Sequence, residues 1–165
     1  MDCPRALRSK AAWLQKSIID SIQNSSPDNR VLIMGDFNDN PSDLSLQSLS
    51  SSEDSDPYAP PLINPMEVFE SPNRGSLAYR DEWFLFDQFL YSRHFLRSNG
   101  GSFWYRASVY HPPWLVTPQG RYKGYPYRTA LSGKRLNGYS DHFPILLLGA
   151  IPHQSNSTKS SGYKK

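Results

Sequence analysis

The chain contains one cysteine, Cys3, so no disulfide can close within it and a disulfide-stapled scaffold is excluded. It contains no apolar run approaching the roughly 18 residues that a membrane-spanning helix needs. The start, Met-Asp-Cys-Pro-Arg, offers no apolar stretch of the signal-peptide kind. A soluble chain is expected, with its compartment left open. Acidic residues are missing altogether between residues 88 and 140, where eight Lys or Arg stand. Residues 1–87 show the reverse, seven Lys or Arg against fourteen Asp or Glu, a balance of −7. Either the two halves neutralise each other on folding, or the basic stretch attracts an anionic partner. No internal repeat is visible.

What is present suits one domain or a part of one: 165 residues, 13% of them aromatic, enough for a real core. Leu7, Ala11, Leu14, Ile18 and Ile22 recur at helical spacing, which predicts an amphipathic helix over 6–24 with that stripe inward. Ser25-Ser26-Pro27-Asp28-Asn29 ends it. Val31 to Met34 then reads as a strand buried on both faces, giving a helix-to-strand unit of the α/β kind. Pro41-Ser42-Asp43 suits the cap of a short helix to about Leu49. Residues 50–61 are a polar, proline-bearing loop expected to be mobile, and Asn64-Pro65-Met66 opens one helical turn.

Residues 76–80 and 84–91 predict a hairpin joined by Asp81-Glu82-Trp83. A further strand is expected over 102–110, ended by Pro112-Pro113. A Gly/Tyr/Arg-rich excursion covers 117–140, and a last strand runs from Phe143 to Ile151. The strands at 31–34, 84–91 and 143–149 are apolar on both faces, so each needs cover on both sides. The helix supplies one cover and a second sheet is the natural other. Residues 152–165 have nothing to bury and read as a disordered tail.

Chemistry concentrates at three places, each beside an apolar strand. The first is Gly35-Asp36-Phe37-Asn38. In extended chain Asp36 and Asn38 share one side and Phe37 turns to the core. A carboxylate can orient or deprotonate water, and an amide can donate to a phosphate oxygen. The bland alternative is a strand-end turn, where Asp and Asn are common. The second is Phe86-Asp87-Gln88-Phe89-Leu90-Tyr91-Ser92. Leu85, Asp87, Phe89 and Tyr91 share a face there, and a buried carboxylate needs a partner. The third is Ser140-Asp141-His142-Phe143-Pro144. Strand neighbours point oppositely, so Asp141 and His142 reach one site only from a loop entering the strand. Gly138 and Pro144 permit such a loop. His94, His111 and His153 show no ligand spacing and read as structural or solvent-exposed.

These three motifs, in this order, resemble the endonuclease/exonuclease/phosphatase family, over about Ala6 to Ala150. The resemblance implies a DNase I-like four-layer α/β sandwich and divalent-metal-dependent hydrolysis of phosphoester bonds. It implies catalytic roles for Asp36, Asn38, Asp87 and His142. It makes Asp141, with Asp36, the metal carboxylates, for Mg²⁺ or alternatively Mn²⁺. Asp87 would hold one ring nitrogen of His142 while the other faces substrate, the orienting logic of a triad's acid. The substrate would be a phosphoester in a nucleic acid, a nucleotide or a phospholipid headgroup. Basic and aromatic residues near the motifs are candidate substrate contacts beside Asn38: Arg80, Trp83, Tyr127 and Arg128, with Tyr122 and Lys123. They read equally as ordinary surface and core.

The family carries its GDFN-like motif past the middle of a domain of about 250 residues; here that motif begins at Gly35. Residues 1–151 are therefore expected to form the C-terminal part of such a domain, an incomplete sandwich. The earlier half of the family domain supplies an Asn and a Glu at the metal, a further active-site His and most of one sheet. Without that Glu, Asp141 is expected to bind metal weakly and activity to be weak or absent. An uncovered sheet face would favour self-association. The competing readings are a non-catalytic remnant or binding module that keeps the fold, and a nucleic-acid-binding domain resting on residues 88–140.

Overall fold

The apolar run ending in Asp36 forms a strand because it lies between two different covers. The computed structural model describes residues 3–26, 29–50, 62–96, 103–131 and 133–150. Of the loop predicted at 50–61, Ser50 ends a helix and 51–61 lie outside the described residues, as does the tail at 152–165. The chain runs through α1 (Cys3–Ser25), β1 (Leu32–Asp36), α2 (Leu44–Ser50), β2 (Leu77–Tyr79), β3 (Glu82–Phe84) and β4 (Asp87–Tyr91). It continues through β5 (Phe103–Val109), β6 (Ala130–Leu131), β7 (Lys134–Arg135) and β8 (Ile145–Ala150). Single 3₁₀ turns occur at Glu67–Phe69, Arg93–Leu96 and Pro113–Leu115.

Four antiparallel strand pairs result: β1 with β4, β2 with β3, β5 with β8, and β6 with β7. This is a mixed helix and strand fold with small sheets, compatible with the α/β class. The β1–β4 pair lies in the middle. On one face Ile33, Leu90 and Phe37 pack with Ala12 and Ile19 of α1 and with Leu46 and Leu49 of α2. On the other, Leu32 and Phe89 pack with Leu85, Met66, Ala107, Ile145 and Leu147, which brings in the β5–β8 pair. The expected cover, a helix on one side and strands on the other, is thus in place. The outer face of β8 is not covered among the described residues, with Leu146 and Leu148 at 37% and 41% exposure.

Four local expectations need correction. The strand at 31–34 is not buried on both faces: Val31, Leu32 and Ile33 are half-buried and Met34 is 65% exposed. The α1 stripe is turned outward: Leu7, Leu14 and Ile18 are more than half exposed, while Ala12 and Ile19 face the core. At 100° per residue Ala12 and Ile19 fall together, and Leu14 lies opposite. A charge fixes this rotation. Arg8 Nε stands 2.8 Å from Asp39 Oδ1, and Asp39 is 5% exposed. A carboxylate buried to that degree requires a counter-charge, which outweighs the apolar stripe. The hairpin turn is Arg80-Asp81, both at positive φ (51° and 66°), one residue earlier than expected. The run over 84–91 is broken at Leu85-Phe86, because Leu85 N–H donates to Asn40 Oδ1 (2.8 Å) and the Phe86 carbonyl accepts from Phe37 N–H (2.9 Å).

Candidate active site

The register of β1 against β4 sets the first half of the site. Asp36 lies directly opposite Asp87, so two carboxylates from separate motifs meet at one end of the strand pair. Like charges placed this way repel. Beside Asp87 lies the imidazole of His142: its Nδ1 stands 2.7 Å from Asp87 Oδ2, with both side chains mostly buried. Nε2 is the ring nitrogen left for other partners.

The second half is a loop held from three sides. The Tyr127 carbonyl accepts from Tyr139 N–H (2.6 Å) and Ser140 N–H (3.2 Å). Ser140 Oγ accepts from His142 N–H (3.1 Å), and Phe143 N–H donates to the Ser76 carbonyl (2.7 Å). His142 bridges Leu77 at the start of β2. Asp141 and His142 therefore sit in a loop ahead of β8, as the strand argument required. Gly138 makes this approach possible, because a Cβ there would fall 2.1 Å from the Tyr127 oxygen.

Asp36 and Asn38 are related by a turn rather than by strand alternation. Asn38 has left-handed backbone (φ 53°), and its N–H donates to Asp36 Oδ1 (2.8 Å). Both side chains stay exposed, and Phe37 packs inward as expected. Asp141 is exposed as well.

The hydrogen bond to Asp87 holds the His142 imidazole above its ordinary value of 6.5; partial burial opposes this, and the charges of Asp87, Asp36 and Asp141 add to it. That Asp36 and Asp141 both act on the ring places the three motifs at one corner. A histidine raised in the folded state adds stability that is complete below its unfolded pKa. That stability is lost as pH climbs through the folded value. The urea midpoint of the wild type should therefore exceed that of Asp87→Asn most between the carboxylate range and pH 6.5, and the gap should close on the alkaline side. A gap that widens with rising pH would contradict the pairing.

The basic and aromatic candidates divide. Arg128 donates from a guanidinium nitrogen to the Ala78 carbonyl (2.8 Å). Trp83 is packed between Tyr125, edge-on at 5.6 Å, and Phe143, stacked at 6.2 Å. Arg80 is exposed at the hairpin turn and lies over the Tyr79 ring at 5.2 Å. Tyr127 contributes its backbone to the 138–142 loop, Tyr122 lies 5.7 Å from Tyr125, and Lys123 is exposed. Tyr125 donates to Asp81 (2.6 Å), a bond that raises its pKa and ties the hairpin to the 117–126 segment. A cleft of about 260 Å³ lined by Asn40, Arg74, Trp83 and Leu85 adjoins the loop after β1. His111 is exposed, with its ring 5.6 Å from that of Phe143.

Sequence reading missed the residues that hold this corner together. Asn40 ties the loop after β1 to Leu85, and its N–H is taken by Asp43 (2.7 Å). Asp39 binds Ser45 Oγ (2.5 Å) besides Arg8. Gln88, fully buried, accepts from Asn64 (3.1 Å) and donates to the carbonyls of Asp39 (3.4 Å) and Leu85. The signal for Asn40 was the Asn-Pro pair that ends the motif; Gln88 gave none, since a Gln inside an apolar strand has no fixed partner in sequence.

Among the described residues no group of three His, Cys, Asp or Glu side chains is gathered for a metal ion. Asp36 and Asp141 are exposed carboxylates whose charges act on the ring. Mg²⁺ commonly takes one or two carboxylates together with waters and substrate oxygens. Among the described residues no helix is long and apolar enough to cross a membrane.

No curated protein and no solved structure gives a significant match to the chain. A family model does: that of the Endonuclease/Exonuclease/phosphatase family matches residues 2–150. That match includes every element described above, so the corner where Asp36, Asp87, Asp141 and His142 meet lies wholly inside it. By that match over most of its length, this chain belongs to the Endonuclease/Exonuclease/phosphatase family, whose chemistry in general is phosphoester hydrolysis.

Proposed function

We propose that the chain hydrolyses phosphoester bonds with the aid of a divalent cation, through the corner formed by Asp36, Asn38, Asp87, Asp141 and His142. The observation that carries this is the 2.7 Å Asp87–His142 contact at the strand end where Asp36 faces Asp87. In this reading Asp36 orients a water and takes its proton as the water oxygen bonds to phosphorus. The bond from phosphorus to the leaving oxygen breaks, and that oxygen keeps the electron pair and takes a proton from solvent water. Asn38 donates its amide to a phosphoryl oxygen. His142, kept cationic by Asp87, donates from Nε2 and offsets the charge that develops on phosphorus. Asp87 acts through the ring that it orients.

Asp141 and Asp36 would hold Mg²⁺ or Mn²⁺, which when bound neutralises phosphoryl oxygen charge. Exposed Arg80 at the hairpin turn and partly buried Trp83, which lines the small cleft, take the rest of the substrate. Arg128 and Tyr127 order the hairpin and loop around it. The fold that goes with this reading is an incomplete DNase I-like sandwich, with which the helix layer and the β1–β4 and β5–β8 pairs are compatible.

The test is turnover of a chromogenic phosphodiester by the 165-residue chain. With only two carboxylates for the metal, turnover is expected to be slow, dependent on Mg²⁺ or Mn²⁺, and abolished by a chelator. Turnover indifferent to chelation would sink the reading. One observation favours a second reading, a binding module that keeps the fold: the outward face of α1, with Leu7, Leu14, Ile18 and Trp13 all above half exposure. A patch of this sort marks association surfaces. Complete absence of turnover together with self-association would select it.

A further inference from the structure

Ser76 hydrogen-bonds to Asp87 and to the residue that follows His142, yet nothing in its sequence context marks it. It is fully buried, at 0% exposure, between Gly75 and the first residue of β2. Its N–H donates to the Phe84 carbonyl (2.9 Å), which anchors it to β3. Its carbonyl accepts from Phe143 N–H (2.7 Å), the residue that follows His142. Its hydroxyl oxygen accepts from Asp87 N–H (3.3 Å). One residue thus fixes the backbone of the carboxylate and the backbone beside the imidazole. Asp87 lies on β4 and His142 precedes β8, and these strands belong to different pairs. Strand pairing alone does not set the distance between the two side chains.

We propose that Ser76 is a positioning residue of this site, its hydroxyl and carbonyl setting the separation of Asp87 from His142. The inference deepens the phosphoesterase reading and rests on it for its functional meaning. The geometry itself stands apart from turnover. The carbonyl contact survives any side-chain change, whereas the hydroxyl contact does not. Removal of the hydroxyl should therefore release Asp87 while leaving the 138–143 loop in place. A displacement near 1 Å at such a pair costs on the order of 100-fold in rate, which is the scale expected for Ser76→Ala wherever turnover is measurable.

The experiment reads the pair directly. A proton shared between an imidazole nitrogen and a carboxylate resonates far downfield in the proton NMR spectrum. That signal is expected in the wild-type chain, lost or moved upfield in Ser76→Ala, and restored in Ser76→Thr, which keeps the hydroxyl. An unmoved signal in folded Ser76→Ala overturns the proposal. A second measurement, on the wild type, is immune to any folding defect: amide exchange of Asp87 and Phe143. Both amides are expected to be protected to the level of the Leu90 amide in the core of the β1–β4 pair. Exchange of either at the unprotected rate overturns the proposal. The two readings fail separately. A signal that moves in an inactive chain leaves Ser76 as a positioning residue and removes the phosphoesterase reading; a signal that stays in an active chain does the opposite.

Discussion

Replacing His142 with alanine is expected to lower turnover by well over ~100-fold, the lower bound of what removal of an acid or base group costs. Two losses combine. In the proposed reading the ring is the cation that meets the phosphoryl charge, and it is also the partner of Asp87, which faces Asp36 across the strand pair. Without it Asp87 loses that partner opposite the residue proposed to orient the water. Asp36→Ala would remove the proposed base and one proposed metal carboxylate, and should lose a similar factor. His142→Ala combined with Asp87→Ala should cost little more than His142→Ala alone, because Asp87 acts only through the ring. The measurement is turnover of the same phosphodiester, with substrate affinity followed separately. Unchanged rates in both single variants would remove the enzyme reading and leave the binding module.

The second large effect is structural. Ala at position 75 or 138 should destabilise the chain by about 3 kcal/mol, at the upper end of overpacking costs. A Cβ on Gly75 would lie 2.2 Å from the Phe84 carbonyl oxygen, and one on Gly138 would lie 2.1 Å and 2.3 Å from those of Tyr127 and Arg128. In each case the obstacle is backbone in a neighbouring segment, so no side-chain rotation relieves it. Gly120 is the control. It has positive φ (82°) but open space around its Cβ position, so Gly120→Ala should cost only about 1–2 kcal/mol for left-handed backbone. Urea melts of the three variants check the ranking. Equal midpoints for Gly75→Ala and Gly120→Ala would show that the close approach is not what holds the site.

Gly75 and Gly138 lie at the two ends of one arrangement. Gly75 admits the strand that carries Ser76, and Gly138 admits the loop that carries His142. The tolerance of both positions thus bears on the site as much as on stability. Each variant that remains folded should also weaken the downfield imidazole signal.

Much of this was legible because local chemistry dictated it. The apolar run before Asp36 was legible as strand, but not its burial, since Met34 is 65% exposed. The alternation of Leu85, Asp87 and Phe89 put a carboxylate in a core row, where it required a partner. The position of Asp141 beside His142 required a loop. The helix at α1 was legible as a helix, but its orientation was not. Periodicity finds an apolar stripe and cannot weigh it against a buried ion pair such as Arg8–Asp39, whose partners lie 31 residues apart in the chain. The break at Leu85-Phe86 was hidden for the same reason, since its cause is an Asn40 side chain arriving from another segment.

The sequence by itself determined which residues are candidates for chemistry and which runs form strands, because side-chain type and two-residue alternation are local properties. Only the tertiary structure decided which of those residues meet. The Asp36–Asp87 register, the reach of His142 to Asp87 and the clasp at Ser76 all depend on backbone hydrogen bonds between segments far apart in the chain. A backbone N–H is the same for every residue, and so leaves no mark in the order of amino acids.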